Sequence, residues 1–281
     1  MTSPTPAPPR TAIRPDGRAA ASSAPSSARR APRTGRPRET VQLWRAGRLR
    51  YGAGLAWQHA TAEAVAAGRP PDGSTASIPE AGPSEVIALL EHPPTYTFGI
   101  RGGREHLLAT PAALAARGAE VVDSDRGGDV TFHGPGQLVA YPILDLRARE
   151  LRAGVYVRRL EAAVIATLEA FDVRGERVPG RPGVWVEGAK IAALGVRISH
   201  GVSRHGLALN VTTDLAWFEQ IVPCGIADAA VTSLERVLGA APALRAVEDA
   251  LAAAFEQVFA IRLVEPVGEA AELREAAGDA N

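Results

Sequence analysis

Three strand-like stretches follow one another between Val184 and Val211, with room only for tight turns between them. Val184 to Glu187 and Lys190 to Ser199 form a hairpin turning at Gly188, and Gly201 to Val211 is a further strand. The connection at Gly188 is short enough to pair its two strands antiparallel, because a parallel return would need a crossover of a dozen residues or more. Gly195 and Gly206 interrupt the two longer strands, which points to bulges or to a ligand lying on the backbone.

The elements around this core are of two kinds. Glu85 to Glu91 is a short apolar run bounded by turn signals, as expected of a buried strand. Thr95 to Gly99, Val121-Val122, Val130 to His133, Gln137 to Leu146 and Ile261 to Val264 read as further strands. Residues 52–67 are Ala-rich and helical in pattern. Thr110 caps a short helix that begins with Pro111. Gly154 to Phe171 carries Val157, Leu160, Val164, Ile165 and Leu168 at helical spacing, and Ala243 to Phe259 is a second long helix. Paired strands covered by two or three helices define an α+β domain, a mixed β-sheet with flanking helices.

The ends are different material. Residues 1–40 are dominated by Pro, Ala, Ser, Thr and Arg, with eight arginines against Asp16 and Glu39. Such a segment buries too little apolar surface to offset the entropy of ordering, so a disordered arm is expected. Its excess of six positive charges suits an acidic partner, a solvated tail or a transit peptide. The chain as a whole is neutral. The folded domain is therefore expected over 41–264, with Gly68 to Pro83 as a loop insertion and 265–281 as a flexible tail. No apolar run is long enough to span a bilayer. A single cysteine argues against a disulfide-stapled secreted protein. A cytoplasmic protein with no membrane or nucleic-acid partner is expected.

Two residues stand out because each is the only one of its kind. Lys190 is the sole lysine among 31 Lys and Arg, and Cys224 the sole cysteine. Arginine replaces lysine as a surface cation but not where a proton must be lost. One thiol makes neither an internal disulfide nor a four-cysteine zinc site. Pro223 and Gly225 bracket Cys224, so it sits on a turn, where scaffolds commonly present reactive groups. A nearby ammonium would lower its pKa and make it a nucleophile. Nothing in the order of residues says that the two meet.

Arg126 to Leu146 adds a glycine-dense stretch, R-G-G-D-V-T-F-H-G-P-G-Q-L-V-A-Y-P-I-L-D-L. Gly127 and Gly128 permit close approach of backbone to a ligand, and Arg126, Thr131 and His133 are more than turn chemistry requires. Neither G-x-x-x-x-G-K-[ST] nor a strand followed by G-x-G-x-x-G occurs, so no phosphate loop is present.

That stretch, with P-G-V-W-V-E-G-A-K-I-A-A-L-G-V-R, H-G-L-A-L-N-V and I-V-P-C-G, resembles in order and spacing the octanoyltransferase (lipoate-protein ligase B) family. The resemblance spans roughly Val41 to Leu263. It implies a biotin/lipoate protein ligase-like catalytic fold. It also implies an acyltransferase that moves an octanoyl or lipoyl group from acyl carrier protein to a lysine, as the first step of lipoate biosynthesis. The implied acceptors are the lipoyl domains of 2-oxoacid dehydrogenase E2 subunits and the glycine cleavage H protein, with no cofactor and no metal. Carried over by position, Cys224 is the acyl-thioester nucleophile, and Lys190 lowers its pKa and serves as base. The substrate-binding positions are Arg126, Gly127, Gly128, Asp129, Val130, Thr131, Phe132, His133, Ala193, Leu194, Gly195, Gly206, Leu207 and Ala208. The run Ile198 to Ser203 departs from the family pattern. An ATP-dependent ligase of the same fold and a Cys-Lys thioesterase are the competing activities; adenylate chemistry has no use for a thiol.

Overall fold

The computed structural model describes residues 39–68, 85–222 and 230–265. All of them fall within one unit, residues 37–281. The expected arm, the loop insertion, the tail and Cys224 itself lie outside the described residues, save for their edges.

An eight-stranded mixed sheet forms the frame. Its strands are β1 (Glu39–Arg48), β2 (Val86–Glu91), β6 (Gln137–Ile143), β7 (Glu176–Val178), β8 (Arg181–Val186), β9 (Ala189–Ser199), β10 (Val202–Asn210) and β11 (Ile261–Val264). They are ordered β11-β1-β2-β6-β10-β9-β8-β7. β11, β1 and β2 run parallel, and every other pairing in this sheet is antiparallel. A small second sheet, ordered β4-β3-β5, joins β3 (Thr95–Phe98) to β4 (Glu120–Asp123) and β5 (Val130–His133). β1 opens at Glu39, so the first strand begins within what composition assigns to the arm.

Both faces of the large sheet are covered, which explains the unbroken apolar run of β2. On one face Ile87 and Leu89 pack with Leu160 and Val164 of α3 (Ala153–Glu169) and with Leu251 and Phe255 of α5 (Leu244–Phe259). On the other, Ala88 and Leu90 pack with Val139, Tyr141 and Trp57 of α1 (Tyr51–Ala67). The alternation within β2 follows the period-two geometry of a strand. α2 (Pro111–Ala116) starts as expected, with Thr110 accepting from the Ala113 N–H at 3.2 Å. A five-residue helix, α4 (Leu234–Leu238), was not expected from the sequence. Its cap, Ser233, accepts from Arg236 N–H at 3.2 Å, but one turn of helix leaves no measurable periodicity.

The hairpin turns behave as their length demands. Glu187 and Gly188 have φ of 49° and 79°, and His200 and Gly201 have φ of 50° and 80°. Two successive positive φ values match the right-handed twist of the flanking strands. Pro142 is tolerated inside β6 because the ladder with β10 ends at Ala140–Leu207, before the proline would have to donate. There β10 bends: His205 takes φ 56°, and a Cβ on Gly206 would stand 2.2 Å from the Ala140 carbonyl oxygen.

Candidate active site

A cavity of about 270 Å³ lies between the β9–β10 ladder, β6 and the segment leading into β5. Its floor is set by register. Gly195 is paired with Gly206 and Ala193 with Ala208. Alternation places these four small residues on one sheet face, leaving open backbone where larger side chains would fill the space.

The Arg126–Gly128 segment closes one side. The Arg126 guanidinium is buried and donates to Thr97 Oγ1 from Nε at 3.0 Å and to the Gly127 carbonyl from Nη1 at 3.1 Å. Gly127 N–H donates to the Val196 carbonyl of β9 at 3.0 Å. A Cβ on Gly127 would come within 2.9 Å of that oxygen, and one on Gly195 within 2.8 Å of the Gly127 oxygen. The bare Gly127 and Gly195 therefore let the segment lie against the protein's own backbone. Asp129 accepts from Val130 N–H at 2.7 Å and pairs with His106 Nδ1 at 2.6 Å.

Fourteen of the sixteen expected site residues reach this cavity: Arg126, Gly127, Gly128, Asp129, Val130, Thr131, His133, Lys190, Ala193, Leu194, Gly195, Gly206, Leu207 and Ala208. Phe132 does not line it. Alternation along β5 turns its ring into the small sheet's core, stacked on Trp217 with centroids 5.2 Å apart. Cys224 lies outside the described residues. None of Ile198 to Ser203 lines the cavity, so the departure from the family pattern falls on the β9–β10 hairpin tip.

A directed hydrogen-bond chain runs from β5 to the backbone of Lys190. Gln137 Nε2 donates to Asn210 Oδ1 at 2.9 Å, and Asn210 Nδ2 donates to the Thr232 carbonyl at 3.0 Å. Thr232 N–H in turn donates to the Lys190 carbonyl at 2.9 Å. Gln137 Oε1 is left to accept, so His133 Nδ1, 2.8 Å away, carries the proton. Burial, then the neighbouring His92 and Arg126, push the His133 pKa well below its usual value. The ring is neutral and its Nε2 is an acceptor.

Lys190 lines the cavity and is held to the chain that follows the Cys224 segment. Its N–H donates to the Ala230 carbonyl at 2.8 Å, and it bridges Val231 in parallel. On the other flank of that segment, Val222 N–H donates to the His106 carbonyl at 2.9 Å.

Sequence reasoning missed Gln137, Asn210 and His205. All three lie inside motifs already quoted, G-P-G-Q and H-G-L-A-L-N, and the signal was their polarity within apolar strand patterns. His205 is 2% exposed, and its Nε2 lies 2.8 Å from Asp125 Oδ1. Burial lowers its pKa to about 4, although Asp125 pulls the other way. Burial works against the Asp125 carboxylate, but hydrogen bonds from His205 and Arg204 outweigh it and hold Asp125 below the usual range.

The lipoyl protein ligase A/B catalytic domain matches residues 54–256. An octanoyltransferase of Chloroflexus aggregans is 55% identical over 183 residues, covering 64% of this chain and 83% of that one. An octanoyltransferase of Geobacter metallireducens is 43% identical over 226 residues, covering 80% and 96%. Among solved structures, lipoate-protein ligase A bound with ATP superposes with a TM-score of 0.60 at 15% identity, covering 86% of this chain and 95% of that one. The putative lipoate protein ligase Ta0514 of T. acidophilum with bound lipoic acid gives 0.59 at 14% identity, covering 84% and 93%. The structural likenesses bear on the fold, the α+β ligase-like architecture expected from the sequence. The sequence likeness settles the family: this chain belongs to the lipoyl protein ligase A/B catalytic-domain family, in its octanoyltransferase branch.

Proposed function

We propose that this protein transfers an octanoyl group from the thioester of an acyl carrier protein to a lysine of a lipoyl domain, through an acyl-enzyme on Cys224. The observation that carries the reading is the placement of Lys190. The only lysine of the chain lines the cavity and is hydrogen-bonded to Ala230 and Thr232, directly after the segment that contains the only cysteine.

The chemistry follows from the parts. The Lys190 ammonium stabilises the Cys224 thiolate, which attacks the donor carbonyl and expels the carrier thiol. Thioester exchange is close to neutral in energy, so no nucleotide is consumed. The acyl chain lies on the floor made by Ala193, Gly195, Gly206 and Ala208, where each buried methylene contributes about 0.8 kcal/mol. Once Cys224 is acylated its negative charge is gone. Lys190 then loses its ion-pair partner, gives its proton to the departing carrier thiolate and, now neutral, serves as base for the incoming amine, whose attack releases Cys224 as the thiolate. The acceptors are the lipoyl domains of 2-oxoacid dehydrogenases and the glycine cleavage H protein. Among the described residues no helix is long and apolar enough to cross a membrane, and we place the reaction in the cytoplasm. Intact-mass measurement after mixing with octanoyl-carrier protein tests this: one octanoyl mass on Cys224 is expected, chased onto added lipoyl domain. Free octanoate as the main product would sink the transfer reading.

A further inference from the structure

Lys190 is the cross-strand partner of Trp185 in the β8–β9 ladder. Directly opposed residues project to the same face and touch. The Lys190 Nζ lies 4.9 Å from the centroid of the indole ring. Trp185 is 1% exposed, and its indole N–H donates to the Arg181 carbonyl at 3.2 Å, which fixes the plane of the ring. The lysine stem passes over Gly183, which has φ 128°. A Cβ there would stand 3.2 Å from Lys190 Cε and 3.4 Å from Cδ. Glu161 of α3 holds this corner, accepting from Gly183 N–H at 3.3 Å and from Arg177 Nε at 2.9 Å. The other cation near the ring is Arg181, with Cζ 5.9 Å from the centroid.

We infer that Trp185 is a positioning residue for the transfer reaction: its π face holds the Lys190 ammonium at the cavity wall before the thioester arrives. Burial alone drives a lysine toward its neutral form. The electron-rich indole face attracts the ammonium and not the amine, and does so more strongly where water is excluded. The bare Gly183 leaves room for the stem, and the anchored ring supplies a face for the charge. The functional part of this inference rests on the reading of Lys190 as the partner of Cys224; the contact itself does not.

The experiment uses the full chain labelled with 13C,15N-lysine, which gives a single side-chain spin system because Lys190 is the only lysine. In the wild-type protein the Lys190 ε-protons are expected upfield of their random-coil position through the indole ring current. Trp185→Leu removes the face and Trp185→Phe keeps one. The Lys190 titration midpoint is expected to fall by about one unit in the leucine variant and by less in the phenylalanine variant. Acylation of Cys224 by an octanoyl thioester should slow about tenfold in the former and about threefold or less in the latter. Thermal melts establish that each variant is folded; should the leucine variant fail to fold, the wild-type ring-current shift and the phenylalanine variant decide. Random-coil ε-proton shifts in the wild type, or a folded Trp185→Leu that titrates and acylates as wild type does, overturn the inference. If the wild type accepts no octanoyl group while the Lys190 midpoint still follows the indole, the assigned reaction falls and the contact stands.

Discussion

Gly206 sits directly opposite Gly195 in the β9–β10 ladder, and each is bare for a different backbone neighbour. A Cβ on Gly206 would meet the Ala140 carbonyl oxygen at 2.2 Å, within the sheet. One on Gly195 would meet the Gly127 oxygen at 2.8 Å, across the cavity rim. Gly206→Ala should therefore cost the fold about 2–4 kcal/mol, while Gly195→Ala should chiefly displace the Arg126–Gly128 segment and raise KM for the acyl donor. Urea melts and steady-state kinetics on both variants check this. Equal stability of Gly206→Ala and wild type would refute the close approach.

Ala208 is buried and opposes Ala193 on the same floor. Ala208→Leu fills part of the cavity and should shift preference from octanoyl toward hexanoyl donors, by about tenfold or more in the ratio of kcat/KM, since one or two methylenes carry that much discrimination. A competition assay with mixed acyl donors reads the ratio. An unchanged ratio would show that the chain lies elsewhere.

His92 and His205 are held neutral, each with its pKa lowered by burial to about 4, against 6.5 when the chain is unfolded. Both states are neutral above 6.5, so the two rings do not titrate stability there. As pH falls from 6.5 toward 4 the unfolded chain takes up protons that the folded one refuses. Stability is lost across that window, on the order of 3 kcal/mol per ring by its lower end. Between pH 7 and 5 carboxylates contribute little, so urea midpoints measured there should fall. A flat midpoint would count against buried neutral histidines.

Lys190→Arg keeps the charge and removes the ability to act as base. Acyl-enzyme should still form, though slowed by the larger head group against Trp185, while transfer to the lipoyl domain stalls by about 100-fold or more. Single-turnover measurements separate the two halves. Near wild-type deacylation would remove Lys190 from the role of base.

Truncation should respect the first strand. Deleting residues 1–38 should leave the melting temperature and maximal turnover unchanged. Any loss should appear as weaker, salt-sensitive association with acidic partners. Deleting 1–40 removes Glu39 and Thr40, which pair with Ile261 and Arg262, and the Glu39–Arg149 ion pair at 2.9 Å. The shorter chain should melt lower; identical melting would place the start of the fold later.

The order of residues determined the elements and picked out most of the residues that line the cavity. Turn chemistry at Gly188, the helical spacing of Leu160, Val164 and Leu168, and the apolar run of β2 are local signals. They are legible because turn geometry and periodicity depend on near neighbours. Lys190 stood out as the only lysine, and the motif around His133 through its resemblance to the family. Tertiary structure decided what has no local signature. It turned Phe132 into the small sheet's core, and it laid Gly127 against the Val196 backbone and Gly195 against that of Gly127. It set Gly195 against Gly206 as a floor, and it drew Gln137, Asn210 and Thr232 into one chain ending at Lys190. Most of these join residues far apart in sequence, and strand order and register determine which of them meet.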